Sequence, residues 1–209
     1  MPQKIPKATI KRLSIYYRIL LETRLTDYIR SDEIARITGF TSSQIRRDLT
    51  YFGQFGIPGR GYPAEDLRSK IVKILGIEKK SNVAVIGAGN LGAALMNYQG
   101  FKGHGFEIVA AFDVDRRKVN RTRNGIKIFP MKLLKKVTRE KDIKIAVITV
   151  PAKAAQEAVD SAVEAGVKGI LNFSPTKVKV PQGINLLNID MTIELTRLAY
   201  LVAAQKILF

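Results

Sequence analysis

Apolar residues along this chain follow two rhythms, one of about 3.6 residues and one of about two, and the change between them divides it. Over residues 6–23, Ile10, Leu13, Tyr17, Leu20 and Leu21 fall at helical spacing and predict a first amphipathic helix. A second, short helix has Ser31 as N-cap, Asp32 and Glu33 in its first turn, and Gly39 as its stop. The third opens at TSSQIRRDLTYF, where Thr41 and Gln44 form a capping-box pair with a side chain reaching back at each end. In that helix Ile45, Leu49 and Phe52 lie at i, i+4 and i+7 and are expected to face the core. Four glycines and a proline in Gly53–Tyr62 (GQFGIPGRGY) then read as a short hairpin or flap. A further amphipathic stretch, AEDLRSKIVKILGI, leads to EKKSN, the expected domain boundary.

Beyond that boundary strands and helices alternate. Val83–Ile86, Ile108–Phe112, Ile126–Phe129, Ile143–Val150 and Gly169–Phe173 read as strands. Helices are expected from Asn90, up to about Arg139, over Ala152–Ala165, and from about Thr192. Alternation of this kind predicts an α/β fold with a doubly wound parallel sheet. The domains are therefore read as 1–80, 81–191 and a terminal helix, 192–209. That last helix carries Ile193, Leu195, Leu198, Leu201, Val202 and Ile207, more apolar surface than a short terminal helix needs for itself. Burial against a second subunit would make a two-fold homodimer.

Composition narrows the chemistry. The 209 residues contain no Cys and one His, His104, so disulfides, cysteine metal sites and most histidine catalysis are excluded; no metal is expected. No apolar run approaches a membrane span and the N-terminus lacks a secretory h-region, so the expected location is cytoplasmic, with no membrane partner. Lys and Arg number 35 against 18 Asp and Glu, a formal +17, which fits a polyanionic partner or a generally Lys-rich thermostable protein. The excess occurs in both halves: 16 basic and 8 acidic residues over 1–80, 19 and 10 over 81–209.

Three short helices and a glycine-rich flap make a winged helix-turn-helix. With Ile45, Leu49 and Phe52 inside, Ser43, Arg46, Arg47 and Thr50 share the outer face, and Arg60 sits on the flap. Arginine can hold guanine O6 and N7 in a bidentate bond, and small hydroxyls reach phosphate or base, so this face suits the major groove of double-stranded DNA. The alternative is a three-helix module for subunit contacts with a solvated charged face.

VAVIGAGNLG, from Val83, runs an apolar strand into Gly87, Ala88, Gly89, Asn90, Leu91 and Gly92. In such a fingerprint the first glycine permits the turn, the second lets the backbone approach a pyrophosphate, and the third lets helix and strand pack, as in a Rossmann-type domain. Asp113, at the end of IVAAFDVD about 26 residues past Gly87, suits the ribose hydroxyls of an NAD-type cofactor. Arg116 and Arg117 follow it and leave tolerance of NADP open; an empty cleft, or CoA or another nucleotide in the same crevice, also stays open. The strand ends offer Val150, Pro151 and Phe173 to line a nicotinamide pocket, none of which exchanges protons readily. His104 lies in the loop KGHG, and Tyr98 is the one proton donor in view. No catalytic residue is assigned, and the site reads as built to hold a cofactor without turning it over.

Taken in order, IPKATIKRLSIYYRIL, SSQIRRDLTYFGQFG, VIGAGNLGAAL, FDVD, VPAKAAQEAVD, GILNFSP and NIDMT resemble the redox-sensing transcriptional repressor Rex family over nearly the whole chain. The resemblance implies a dimeric repressor, not an enzyme, that binds a palindromic operator, responds to the NADH/NAD⁺ ratio and exchanges its C-terminal helix between protomers. It implies that Arg46 and Arg47 belong to a recognition helix and that Gly87 to Gly92 with Asp113 bind the cofactor. Tyr98 and Asp190 fall where the family places residues near the nicotinamide and the dimer seam, with Met191 of the partner expected beside the ring. Arg18 falls where it could meet Asp190 of the partner chain. Against these readings stand a packed aromatic at Tyr98, a simple N-cap at Asp190 and a solvated charge at Arg18. The chain departs from the family in its wing, which has Pro58 where a basic residue is usual and Arg60 two places later.

Overall fold

The computed structural model describes residues 5–22, 27–51, 53 and 56–205. Its chain divides into two units, Met1–Lys79 and Lys80–Phe209.

The first unit is built on helices α1 (Lys7–Glu22), α2 (Ser31–Thr38), α3 (Ser42–Thr50) and α4 (Ala64–Leu75). Two short strands, β1 (Tyr28–Ile29) and β2 (Tyr62–Pro63), pair antiparallel, with Ile29 opposite Tyr62. Leu13, Tyr16 and Leu20 from α1 meet Ile34, Ile45, Leu49, Leu67 and Ile71 in one core. The buried stripe of α1 is rotated from the predicted one: Tyr16 is inside and Tyr17 only half-buried, while Ile10 is 36% exposed. Phe52, expected in this core, lies outside the described residues.

Two caps differ from expectation. Arg30, not Ser31, precedes α2, and its backbone N–H donates to Glu33 Oε2 at 2.7 Å. The Ser31 hydroxyl is thereby free to accept from Arg46. At α3 the Thr41 hydroxyl accepts from the Gln44 N–H at 3.1 Å, but the Gln44 side chain does not reach back. It donates instead to Asp48 at 3.0 Å, one turn further on. Gly39 ends α2 in a left-handed conformation, as its position predicts. The flap is a small wing closed by paired Ile57 and Gly61. At Gly61, φ is +96° and a Cβ would lie 2.7 Å from the Ile29 carbonyl oxygen, so glycine is required there.

In the second unit the strands β3 (Ser81–Ile86), β4 (Phe106–Asp113), β5 (Thr122–Arg123), β6 (Ile126–Pro130), β7 (Ile143–Ile148), β8 (Gly169–Asn172) and β9 (Asn185–Asn188) form one sheet. Its order is β5-β6-β4-β3-β7-β8-β9, and every pairing except β5 with β6 is parallel. Helices α5 (Asn90–Asn97), α6 (Gly100–Gly103), α7 (Leu134–Glu140), α8 (Ala155–Glu164) and α9 (Met191–Gln205) complete it. Along β3, Val83 and Val85 enter a core with Ala93 and Met96 of α5, while Ala84 and Ile86 enter one with Leu134, Val137, Ala155 and Val159 of α7 and α8. Period-two alternation into two apolar faces is what a doubly wound sheet requires.

The predicted α/β class and parallel sheet are present. Strands β5 and β9 were not predicted: two and four residues long, they carry too little alternation to register. β7 and β8 each end before the predicted last residues, which turn into the cleft described next.

Candidate functional site

At the carboxyl ends of β3, β4 and β7 the second unit holds a cavity of about 630 Å³. Gly87 makes the turn out of β3 with φ +103°, and a Cβ there would lie 2.9 Å from the Thr149 carbonyl carbon. Thr149, which the sequence offers with Val150 and Pro151 as a residue to line the pocket, also secures this turn by donating its hydroxyl to the Gly87 carbonyl at 2.7 Å. Gly92 packs directly under the Gly87 carbonyl oxygen, where any Cβ would collide. Gly89 differs: a Cβ on it would meet nothing within 4 Å. It precedes α5, whose first N–H groups have no helical acceptor. An open approach to unpaired donors at a helix N-terminus fits a pyrophosphate.

Asp113 is buried at the end of β4, and its carboxylate is already engaged. Oδ2 accepts from the Ala88 N–H at 2.8 Å and lies 3.2 Å from Lys118 Nζ, while Oδ1 accepts from the Asp115 N–H at 2.8 Å. Ala88 therefore holds the fingerprint turn to Asp113. Lys118 was not foreseen, and it brings a cation into the end of the cavity assigned to the ribose. Beside it the Asp115 carboxyl is lowered to about 2 by hydrogen bonds from the Arg117 side chain and backbone. Arg117 is thus turned toward its own neighbour.

Leu91, Val150, Pro151 and Phe173 all line the cavity, with Met131, Ala158 and Ser161 on the wall between β6 and α8. The polar residues of NFSP are structural. Asn172, fully buried, donates to the Thr176 carbonyl at 3.0 Å and to Asn188 at 2.9 Å, and accepts from the Ser174 N–H at 3.0 Å. Ser174 donates to the Val150 carbonyl at 2.6 Å. The network holds Val150 and Phe173 as apolar walls. Asn90, the first residue of α5, is exposed and is not among the lining residues.

Tyr98 does not line this cavity; it is 59% exposed and stands edge-on to Phe101 at 4.9 Å. Asp190 accepts from the Thr192 N–H at 2.9 Å at the start of α9, and the neighbouring Met191 is 61% exposed. Arg18 donates to Glu22 at 2.8 Å within α1. Within one chain, then, Asp190 and Arg18 have the local partners of a helix cap and a surface ion pair. On α9, Ile193, Leu195, Leu198, Leu201 and Val202 are each more than half exposed. Ile207 lies outside the described residues.

In the first unit α3 presents Ser43, Arg46, Arg47 and Thr50 on its exposed face. Arg46 is held between α2 and α3, donating to the Ser31 hydroxyl at 3.0 Å and the Ser43 hydroxyl at 3.3 Å. It borders a groove that is also lined by Pro58 and Gly59 of the wing. Arg60 stacks over the Tyr28 ring at 5.1 Å.

What positions α3 was missed in the sequence. Asp48, fully buried on its inner face, accepts from both Arg12 Nε and Nη2, from the Tyr16 hydroxyl at 2.8 Å, from Thr9 at 3.3 Å and from Gln44 at 3.0 Å. Burial alone would raise its carboxyl, but the hydrogen bonds from Arg12, Tyr16 and Gln44 together hold it below the ordinary value. The spacing of Thr9, Arg12 and Tyr16 along one helical face was the available signal.

A winged helix-turn-helix unit joined to a dinucleotide-type sheet defines a class: regulators that couple a nucleotide site to a DNA-reading surface. Comparison with known proteins agrees. Residues 4–50 match the family model for a putative DNA-binding protein N-terminus, and residues 78–176 match that for a CoA binding domain. The redox-sensing transcriptional repressor Rex of Syntrophomonas wolfei is 48% identical over 202 residues, 96% of each chain. That of Carboxydothermus hydrogenoformans is 44% identical over 94% of this chain and 96% of its own. The solved structure of RSP in complex with β-NAD⁺ and operator DNA matches with TM-score 0.91 at 34% identity, covering 99% of this chain and 96% of that one. RSP in complex with β-NADH matches with TM-score 0.86 at 33% identity, over 98% and 97%. The chain belongs to the Rex family of redox-sensing transcriptional repressors.

Proposed function

We propose that this protein binds operator DNA as a homodimer and leaves it when NADH is bound, so that transcription follows the NADH/NAD⁺ ratio. The observation that carries the reading is the presence, in one chain, of an exposed arginine-bearing α3 beside a wing and a fingerprint cavity with apolar walls at Val150, Pro151 and Phe173. Family membership supports it, as do the operator DNA, β-NAD⁺ and β-NADH in the RSP complexes. Gly87 and Gly89 with the start of α5 would take the pyrophosphate, Asp113 the ribose, and the apolar wall the nicotinamide. The reduced nicotinamide could supply hydride, but the residues around it offer only binding and orientation. The protein is a transcription regulator by family, and works in the cytoplasm where the DNA is.

Discrimination between the two redox forms has to arise at the ring, because every other contact is shared. The apolar wall penalises a cationic oxidised ring by desolvation and a neutral reduced ring far less. A difference of about 2.7 kcal/mol is already a hundredfold preference. The exposed apolar face of α9 would be covered by a second copy, bringing the partner's copies of Met191 and Asp190 to the nicotinamide end. In this scheme the NADH-bound dimer engages Asp190 with Tyr98, and the DNA-bound dimer turns Asp190 to Arg18 of the other chain.

An NADH fluorescence titration run beside a gel shift on a palindromic operator tests the main reading. Saturable NADH binding that releases the operator is expected; NADH binding with no effect on the operator would overturn it. Tyr98→Phe is expected to keep operator binding but blunt its release by NADH. Release at the parent's NADH concentration would remove the Asp190–Tyr98 switch. Deleting residues 192–209 is expected to give a monomer by sedimentation.

A further inference from the structure

Charge is distributed very unevenly within the second unit. Residues 116–144 hold twelve lysines and arginines against only Glu140 and Asp142, whereas the rest of Lys80–Phe209 balances eight basic against eight acidic residues. One segment therefore carries ten of the chain's formal +17. It runs through the turn after β4 and the strands β5 and β6, which are one border of the sheet, and continues through helix α7, packed on α8 and β7, into the start of the central strand β7.

All twelve cations except Lys118 are exposed. Four have local carboxylates: Arg117 with Asp115, Lys118 with Asp113, Lys136 with Glu140 and Lys144 with Asp142. The other eight make no ion pair among the described residues. Arg121 precedes and Arg123 ends the outermost strand, Lys127 lies over the Phe129 ring at 5.3 Å, and Lys135 and Arg139 are one turn apart on the outer side of α7. A lysine or two on an edge strand keeps sheets from pairing. Eight uncompensated cations exceed that need, and their mutual repulsion is relieved by a polyanion.

The surroundings narrow the polyanion. None of the large exposed hydrophobic residues falls in 116–144, and α7 turns Leu134 and Val137 into its own core, so this segment has no apolar wedge for a membrane. Nor does it expose an aromatic platform for single-stranded bases, since Phe129, its one aromatic ring, is part of the core packing. Exposed cations without either device match the phosphate backbone of a duplex, which presents a charge about every 1.7 Å.

We propose that this segment is a second nucleic-acid surface, which holds duplex DNA by its phosphates without reading sequence. The proposal rests on the operator-binding reading above, because it takes the flanking DNA of that complex as its ligand. It adds affinity that depends on fragment length and on salt.

The test compares the parent with a variant carrying Arg121→Gln, Arg123→Gln, Lys127→Gln and Arg139→Gln, none of which lines the cavity or lies on α3. Operator affinity is measured against salt on a fragment just long enough for the palindrome and on the same palindrome within several further helical turns of duplex. Each lost phosphate contact flattens the log Kd against log salt slope by about 0.9. The variant's slope on the long fragment is expected to flatten by about 2 to 4, while its binding to the short fragment and its NADH titration match the parent's. Equal slopes for parent and variant on the long fragment overturn the proposal. So does a larger loss of binding to anionic vesicles or single-stranded RNA than to the long duplex. Failure of the main reading would show separately, as parent binding to the short fragment that NADH does not alter.

Discussion

The two units bury polar groups in different places. In the first, a carboxylate sits in the middle of the helical core, where Asp48 joins α3 to Arg12 and Tyr16 of α1. In the second, Asp113, Asn172 and Ser174 are buried at the strand ends that border the cavity, and Thr138 of α7 is the one other buried polar side chain among the described residues. The reason lies in what fixes each architecture. Parallel strands are held in register by their backbone hydrogen bonds, so the sheet needs no side-chain ties and can place its polar groups at the site. A small helical unit has no such ladder, and well-packed apolar helices can rotate at modest cost. A fully satisfied carboxylate linking two of them selects one orientation of α3 and hence the direction of Arg46 and Arg47.

The largest effect that would break this contrast comes from Asp48→Ala. Removing one partner of a buried, hydrogen-bonded pair costs about 3–5 kcal/mol. Calorimetry is expected to show the first unit's transition lost or sharply lowered and the second unit's retained, with operator binding abolished and NADH binding kept. Asp48→Asn, which keeps the volume, should lose less stability but still weaken operator binding. Equal loss of NADH and operator binding in both variants would mean that the tie serves the whole molecule.

Gly92→Ala applies the converse test to the second unit. Overpacking against the Gly87 carbonyl costs about 1–3 kcal/mol and displaces the fingerprint turn. NADH affinity is expected to fall at least tenfold, with operator binding in the absence of NADH unchanged. Arg46→Ala and Arg47→Ala come next, each expected to cost about 1–3 kcal/mol of operator binding where a base is read, seen as relaxed preference at one position in a competition gel shift. If both bind like the parent at moderate salt, α3 is not the reading helix.

The smallest effect is acid sensitivity. The folded Asp48 carboxyl is held below its ordinary value, so its contribution to stability is complete above the unfolded carboxylate pKa of about 3.9. It is lost as pH falls from there through the folded value. The first unit's melting temperature is expected to be flat with respect to this group between pH 5 and 7 and to drop below about pH 4. In Asp48→Asn that acid-dependent component should be missing, as thermal melts across the range would show.

Sequence alone determined whatever depends on neighbours a few residues apart. The alternating apolar strands, the left-handed stop at Gly39, the Thr41 cap, the Gly87, Gly89 and Gly92 turn, and the exposed face of α3 are all local. Each follows from a backbone period or from the conformations a residue permits. Tertiary structure decided what depends on how elements dock. Tyr16 is inside and Tyr17 at the margin because α1 is rotated to carry Arg12 to Asp48, 36 positions away. Asn172 serves Asn188 of β9, and Thr149 clasps Gly87, because parallel pairing brings together strand ends far apart in the chain. Lys118 faces Asp113 only because the turn after β4 folds back. The burial of Asp48 was the least legible of all, since a charge inside a core is tolerated only when its partners arrive from another element; the spacing of Thr9, Arg12 and Tyr16 marks those partners but not the side chain they meet.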